Sequence, residues 1–117
     1  MRKLSRNRNE EIIQGGPNIF ADLGIPNAEE RLAKVHLVLI INKGLDLKAA
    51  NQKKAALLLD CTQPDVSMLR NYKTASFSLE RLLDFLHRLG QDVEITIRKK
   101  ARTRKAGATT VRMIGAA

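Results

Sequence analysis

The tightest constraint on the fold lies in residues 52–69, QKKAALLLDCTQPDVSML. Two stretches with helical apolar spacing are separated by Asp60, Cys61 and Thr62, which leaves room only for a tight turn between two short helices. Asn51 stands before the first and can cap it; Thr62 can cap the second. Asp65, three residues after Thr62, completes a capping-box pair and puts negative charge at the positive end of the helix dipole. Pro64 falls in the first turn, where its missing N–H has no helical partner in any case. Ala55, Leu59, Val66 and Leu69 point to a shared core, and Ala56 stands where the helices approach closely. The other side of the second helix carries Gln63, Pro64, Ser67, Met68 and Asn71, which share one face.

A chain of 117 residues, 44% of them hydrophobic, supports one modest core with tails. The single cysteine, Cys61, excludes an internal disulfide framework and suits a reducing compartment. The longest purely apolar run, 37–41, is far below the roughly 20 residues that span a bilayer, and no basic-then-apolar leader opens the chain. These features predict a cytoplasmic protein with no membrane contact. The net charge of +9 is unevenly placed. Arg2, Lys3, Arg6 and Arg8, with Arg98, Lys99, Lys100, Arg102, Arg104, Lys105 and Arg112, make eleven of the 21 basic residues, whereas residues 10–97 hold ten basic and twelve acidic ones. The sequence therefore reads as a basic flexible tail over 1–14, a folded body over 15–97 without excess positive charge, and a second basic flexible tail over 98–117.

Within the body, Gly15, Gly16, Pro17, Gly24 and Pro26 forbid a long element, while Ile19, Phe20, Leu23 and Ile25 predict an arm packed on something. Asn27 with Glu30 predicts a capped helix beginning at Ala28. Its run of Leu32, Val35, Leu37, Val38, Leu39, Ile40 and Ile41 is apolar on more than one side, which suggests a face left over for a partner subunit. Gly44 is a possible stop, yet the pattern continues and places the end near Lys48. A further helix is expected from Ser78 to Gly90, with Phe77 and Leu82 spaced as a hydrophobic staple. Residues 93–97 then alternate Val93, Ile95 and Ile97 with Glu94 and Thr96, the pattern of a lone strand. One strand cannot satisfy its own backbone and needs a second copy across a dimer, or another protein.

Two helices at a tight turn, with a polar outer face on the second, form the arrangement in which a recognition helix enters the DNA major groove. The positions of Gln52, Ala56, Val66 and Leu69 resemble the lambda-repressor-like, or Xre-type, helix-turn-helix family. The segments NIFADLGIPNAEERLAK, QPDVS and FSLERLLDFLHRLGQDVEI look like the Xre-type antitoxins that pair with RelE/HigB-like toxins. The resemblance implies a mainly α lambda-repressor-like bundle with one C-terminal strand paired across a homodimer, a double-stranded palindromic operator as ligand, and a toxin as second partner. It also implies a contact set of Gln52, Thr62, Gln63, Pro64, Ser67, Met68, Asn71 and Lys73. In it Gln63, Ser67 and Met68 face bases, Gln52 braces the recognition helix and touches phosphate, and Asn71 and Lys73 exit near the backbone. Glutamine can bond adenine, serine is indifferent to base, and methionine can lie against a thymine methyl. Two departures stand out: Asp60 where the turn often has glycine, and Asp65 where such antitoxins often have a base, which weakens phosphate attraction from the recognition helix.

Other chemistry finds little support. His36 and His87 have no ligand-spaced companions, so no metal site is expected. Ser67 has no spaced base and no phosphate loop occurs, so neither an enzyme nor a cofactor is expected. Cys61 reads as a small core residue. RNA binding through the tails lacks interleaved aromatics. A stand-alone Xre-type regulator without a toxin is the alternative to the antitoxin.

Overall fold

The structure, a computed structural model, describes residues 10–12, 18–49 and 51–115. The basic residues Arg2, Lys3, Arg6 and Arg8 and the glycines Gly15 and Gly16 lie outside them. In chain order the elements are β1 (Glu10–Ile12), α1 (Ile19–Asp22), α2 (Ala28–Lys48), α3 (Gln52–Leu59), α4 (Gln63–Arg70), a 3-10 turn (Thr74–Ser76), α5 (Leu79–Arg88) and β2 (Arg112–Ile114). The protein is mainly helical with a short C-terminal strand.

Helix α2 is the centre of the bundle. Helices α1, α4 and α5 and the 3-10 turn all pack on it, and Val38, Ile41 and Leu45 have no exposed surface. The apolar surplus of α2 is thus covered mostly by its own chain: a central helix is apolar around most of its circumference without needing a partner subunit. The helix runs through Gly44, and the reason is steric. A Cβ at Gly44 would sit 3.1 Å from Leu89 Cδ1, so the missing side chain lets the end of α5 pack directly on α2. Asn27 precedes the helix in the left-handed region (φ 58°) and its side chain caps nothing. The expected Asn27–Glu30 cap is replaced by a turn conformation that asparagine tolerates.

The other helix ends follow their local chemistry. Asn18 Oδ1 accepts from the N–H groups of Phe20 and Ala21, opening α1, and its Nδ2 donates to Ala28 O and Glu29 Oε2 at 3.0 and 3.1 Å. Of the arm's apolar residues, Phe20 and Ile25 are half-buried while Ile19 and Leu23 stay exposed. Ser78 accepts from Arg81 N–H, so the helix proper begins at Leu79. After Leu89, Gly90 takes φ 84°; its N–H donates to His87 O and that of Gln91 to Leu86 O, a Schellman closure. Phe77 and Leu82, the staple pair, are both fully buried.

The strand lies elsewhere than the sequence pattern put it. Residues 93–97 belong to no sheet. Val93 packs on the core, whereas Ile95 and Ile97 are 73% and 87% exposed. Alternation fits a pleat but cannot supply a neighbouring strand, and the helices around this segment offer no edge. The C-terminal strand is β2, antiparallel to β1 of the same chain with Glu11 opposite Met113. Its pairing is therefore intramolecular, not across a dimer. Met113 is buried, so the segment read as a tail over 98–117 is closed at its far end.

Candidate nucleic-acid interface

Helices α3 and α4 meet as the sequence requires. Asn51 Oδ1 accepts from Lys54 N–H at 2.8 Å, and Asp60 ends α3 at φ 56°, the left-handed turn an aspartate can adopt. Thr62 Oγ1 accepts from Asp65 N–H and Asp65 Oδ2 accepts from Thr62 N–H, both at 3.2 Å. Ala55, Ala56, Leu59, Val66 and Leu69 are buried. Cys61 is half-buried against this core; burial and the Asp65 charge push its thiol pKa up.

Two side-chain systems fix α4 on the body. At its N-terminal end, Arg81 Nη2 donates to Asp65 Oδ2 at 2.9 Å, while the guanidinium lies 5.2 and 5.3 Å from the ring centroids of Phe77 and Phe85. At the other end, the buried Asn42 donates through Nδ2 to Leu69 O at 3.0 Å, Arg70 donates to Asn42 O and Oδ1, and Arg70 pairs with Asp46 at 2.8 Å. Asp65 is thus neutralised from within, and its acid does not face a DNA backbone unpaired. Desolvation would raise its pKa but is outweighed by the Thr62 N–H, the Arg81 guanidinium and the Thr62 hydroxyl, which hold it below the ordinary value.

Gln52, Thr62, Gln63, Pro64, Asn71 and Lys73 are exposed, and Ser67 is half-exposed. Met68 differs: it is half-buried and packs against the core, so the face that α4 leaves open is narrower than the sequence pattern indicates. Asn71 turns its Nδ2 back to Ser67 O at 2.8 Å, closing the end of α4.

The cations sort in an informative way. Lys34, Arg70, Arg81 and Arg88 are paired with Glu30, Asp46, Asp65 and Asp84 respectively, Arg31 donates to Pro26 O, and Lys48 donates to Leu89 O. The side chains of Lys53, Lys54 and Lys73 enter no ion pair or hydrogen bond among the described residues. Lys53 and Lys54 lie in the first turn of α3, and Lys73 follows α4. Sequence reasoning singled out Lys73 and missed Lys53 and Lys54, although a signal was present: two lysines in the first turn of a helix oppose its dipole and have no folding rationale there.

The helix-turn-helix domain family matches this chain over residues 19–98. The chain belongs to the helix-turn-helix family of Xre type. A solved structure described as an XRE family transcriptional regulator is 49% identical, with a TM-score of 0.68, and the match covers 74% of this chain and 97% of that one. No curated protein matches. The matched region of this Xre-type protein contains both motif helices and ends at residue 98, just where the dense basic stretch begins.

Proposed function

We propose that this Xre-type protein is a sequence-specific DNA-binding transcriptional repressor that acts as a homodimer on a palindromic operator. The observation that carries the reading is the exposed polar face of α4, centred on Gln63 and Ser67, together with Lys53 and Lys54 on α3 and Lys73 after α4, whose side chains have no partner among the described residues. Phosphate contacts from such lysines position a protein on the duplex, and side chains on the recognition helix discriminate bases. Family membership and the likeness to an XRE family transcriptional regulator support the same reading. Binding to a pool of random-sequence duplexes tests it. Repeated selection should enrich an inverted repeat with half-sites about one helical turn apart, and a pool that stays random after several rounds overturns sequence-specific recognition.

The finer proposal is that the repressor is the antitoxin of a type II pair, neutralising an mRNA-cleaving RelE/HigB-like toxin and repressing its own operon. It rests on the segments around α1, α4 and α5 that resemble such antitoxins. The family assignment favours a stand-alone regulator equally. A neighbouring reading frame whose product arrests growth, and is silenced by this chain, distinguishes the antitoxin; absence of any such neighbour leaves the stand-alone regulator.

A further inference from the structure

We propose that residues 98–105, RKKARTRK, form a tethered phosphate clamp that grips the backbone of duplex DNA; this rests on the DNA-binding reading above. Six of these eight residues are basic, and all eight are exposed. None of the six cations enters an ion pair or hydrogen bond among the described residues, and no acid follows Glu94 in the chain. The contrast with the body is sharp, since four of its basic side chains are paired with carboxylates. Folding has no use for the charge of this loop, and concentrating it costs self-repulsion that a polyanion would relieve.

The loop is held at both ends. On the near side Gln91 N–H closes on Leu86 O and Val93 packs on the core. On the far side Thr109 N–H donates to Glu29 Oε1 at 2.7 Å, Val111 packs on the core, and β2 pairs with β1. Tethering lowers the entropy lost when the cations settle on phosphates, compared with a free tail of the same composition. It also places them. The chain leaves α5 at Gly90, where a Cβ would lie 3.1 Å from Lys48 Nζ, and Lys48 ends α2 just before the Gln52–Lys54 start of α3. The five chain steps from Val93 to Arg98 span at most about 17 Å, so Arg98 stays within that reach of the point where Val93 packs on the core.

Duplex DNA fits better than single-stranded RNA, because recognition of unpaired bases depends on stacking and no aromatic residue follows Phe85. The test replaces Arg98, Lys99, Lys100, Arg102, Arg104 and Lys105 together by Gln in the full chain and measures binding to a random-sequence 30-base-pair duplex across salt concentrations. The slope of log affinity against log salt should fall by about two to five, at about 0.9 per lost phosphate contact. Base preference, selected from a random duplex pool, and thermal unfolding should both stay unchanged. An unaltered slope overturns the clamp, and so does a variant that loses affinity for a poly-uridine 30-mer but not for the duplex. The Lys53→Gln/Lys54→Gln and Gln63→Ala variants separate the two readings: if they retain wild-type affinity and base preference, the motif reading is what has failed.

Discussion

Arg81 on α5 and Asp65 on α4 are joined by a 2.9 Å charged hydrogen bond while the guanidinium lies over the rings of both Phe77 and Phe85. This one contact links the capping box of the recognition helix to the hydrophobic core, so the angle of α4 is set by the body and not by the turn alone. Replacing Asp65 by Asn should cost about 1 kcal/mol, and a double-mutant cycle with Arg81→Met should return a coupling of about 0.5–1 kcal/mol. Additive denaturation free energies would show that the pair is incidental.

The same pair sets a pH dependence. The folded-state pKa of Asp65 lies below its ordinary value of 3.8, so the unfolded chain takes up this proton first as pH falls. The stabilisation is complete well above pH 3.8 and declines as pH drops through that value and then through the folded pKa. The stability difference between wild type and Asp65→Asn should therefore shrink between about pH 5 and pH 2. A difference that stays constant over that range removes ionised Asp65 from the stabilising set.

Gly44 is expected to be intolerant for a reason local propensity does not reveal. Leu89 is fully buried and its Cδ1 would meet a new Cβ at 3.1 Å. Gly44→Val should destabilise by about 1–3 kcal/mol through overpacking, and Leu89→Ala should recover part of that loss in the double variant. A strictly additive pair in urea titrations would place the clash elsewhere.

How far the sequence could be read depended on whether an element's partner was local. Thr62, Pro64 and Asp65 specify the start of α4 within four residues, and the structure has the capping box they imply. The Gly90 stop and the Phe77–Leu82 staple are equally local. Residues 93–97 failed because alternation describes a strand's faces and not its neighbour; the true strand, Arg112–Ile114, shows only three residues and pairs with a segment about a hundred positions away. Met68 shares a helical face with Gln63 and Ser67 by spacing, but only the packing of α4 shows that it turns inward. Asn42, Arg70 and Arg81 were invisible as braces for α4 because each acts across 16 to 28 residues of sequence.

Positioning and reading should separate experimentally. Lys53→Gln/Lys54→Gln should weaken binding to all duplexes alike and lower the salt slope by about one to two. Gln63→Ala should cost about 1–3 kcal/mol on the selected site and relax discrimination at one base pair, with the salt slope unchanged. Competition gel shifts against single-base variants check both. If Gln63→Ala leaves discrimination intact, Gln63 is removed from the reading surface.

Dimerisation now rests on one unmet need, since α2 is covered by its own chain and β2 is paired within it. Ile95 and Ile97 remain exposed in a segment with strand spacing and no ladder, and a second copy approaching antiparallel would satisfy the backbone and cover both isoleucines. Function favours the same pairing, because two recognition helices about 34 Å apart can engage successive major-groove faces and gain enough contact for specific binding. Light scattering at micromolar concentration should give a mass near twice 13.1 kDa. Ile95→Lys should shift the protein towards monomer and weaken operator binding while leaving the melting of the folded body nearly unchanged, since Ile95 lies outside the core. A wild-type protein that stays monomeric at that concentration reserves the segment for a different chain. In that event the antitoxin proposal supplies the partner to test first: if a neighbouring reading frame encodes a toxin, Ile95→Lys should abolish its co-purification.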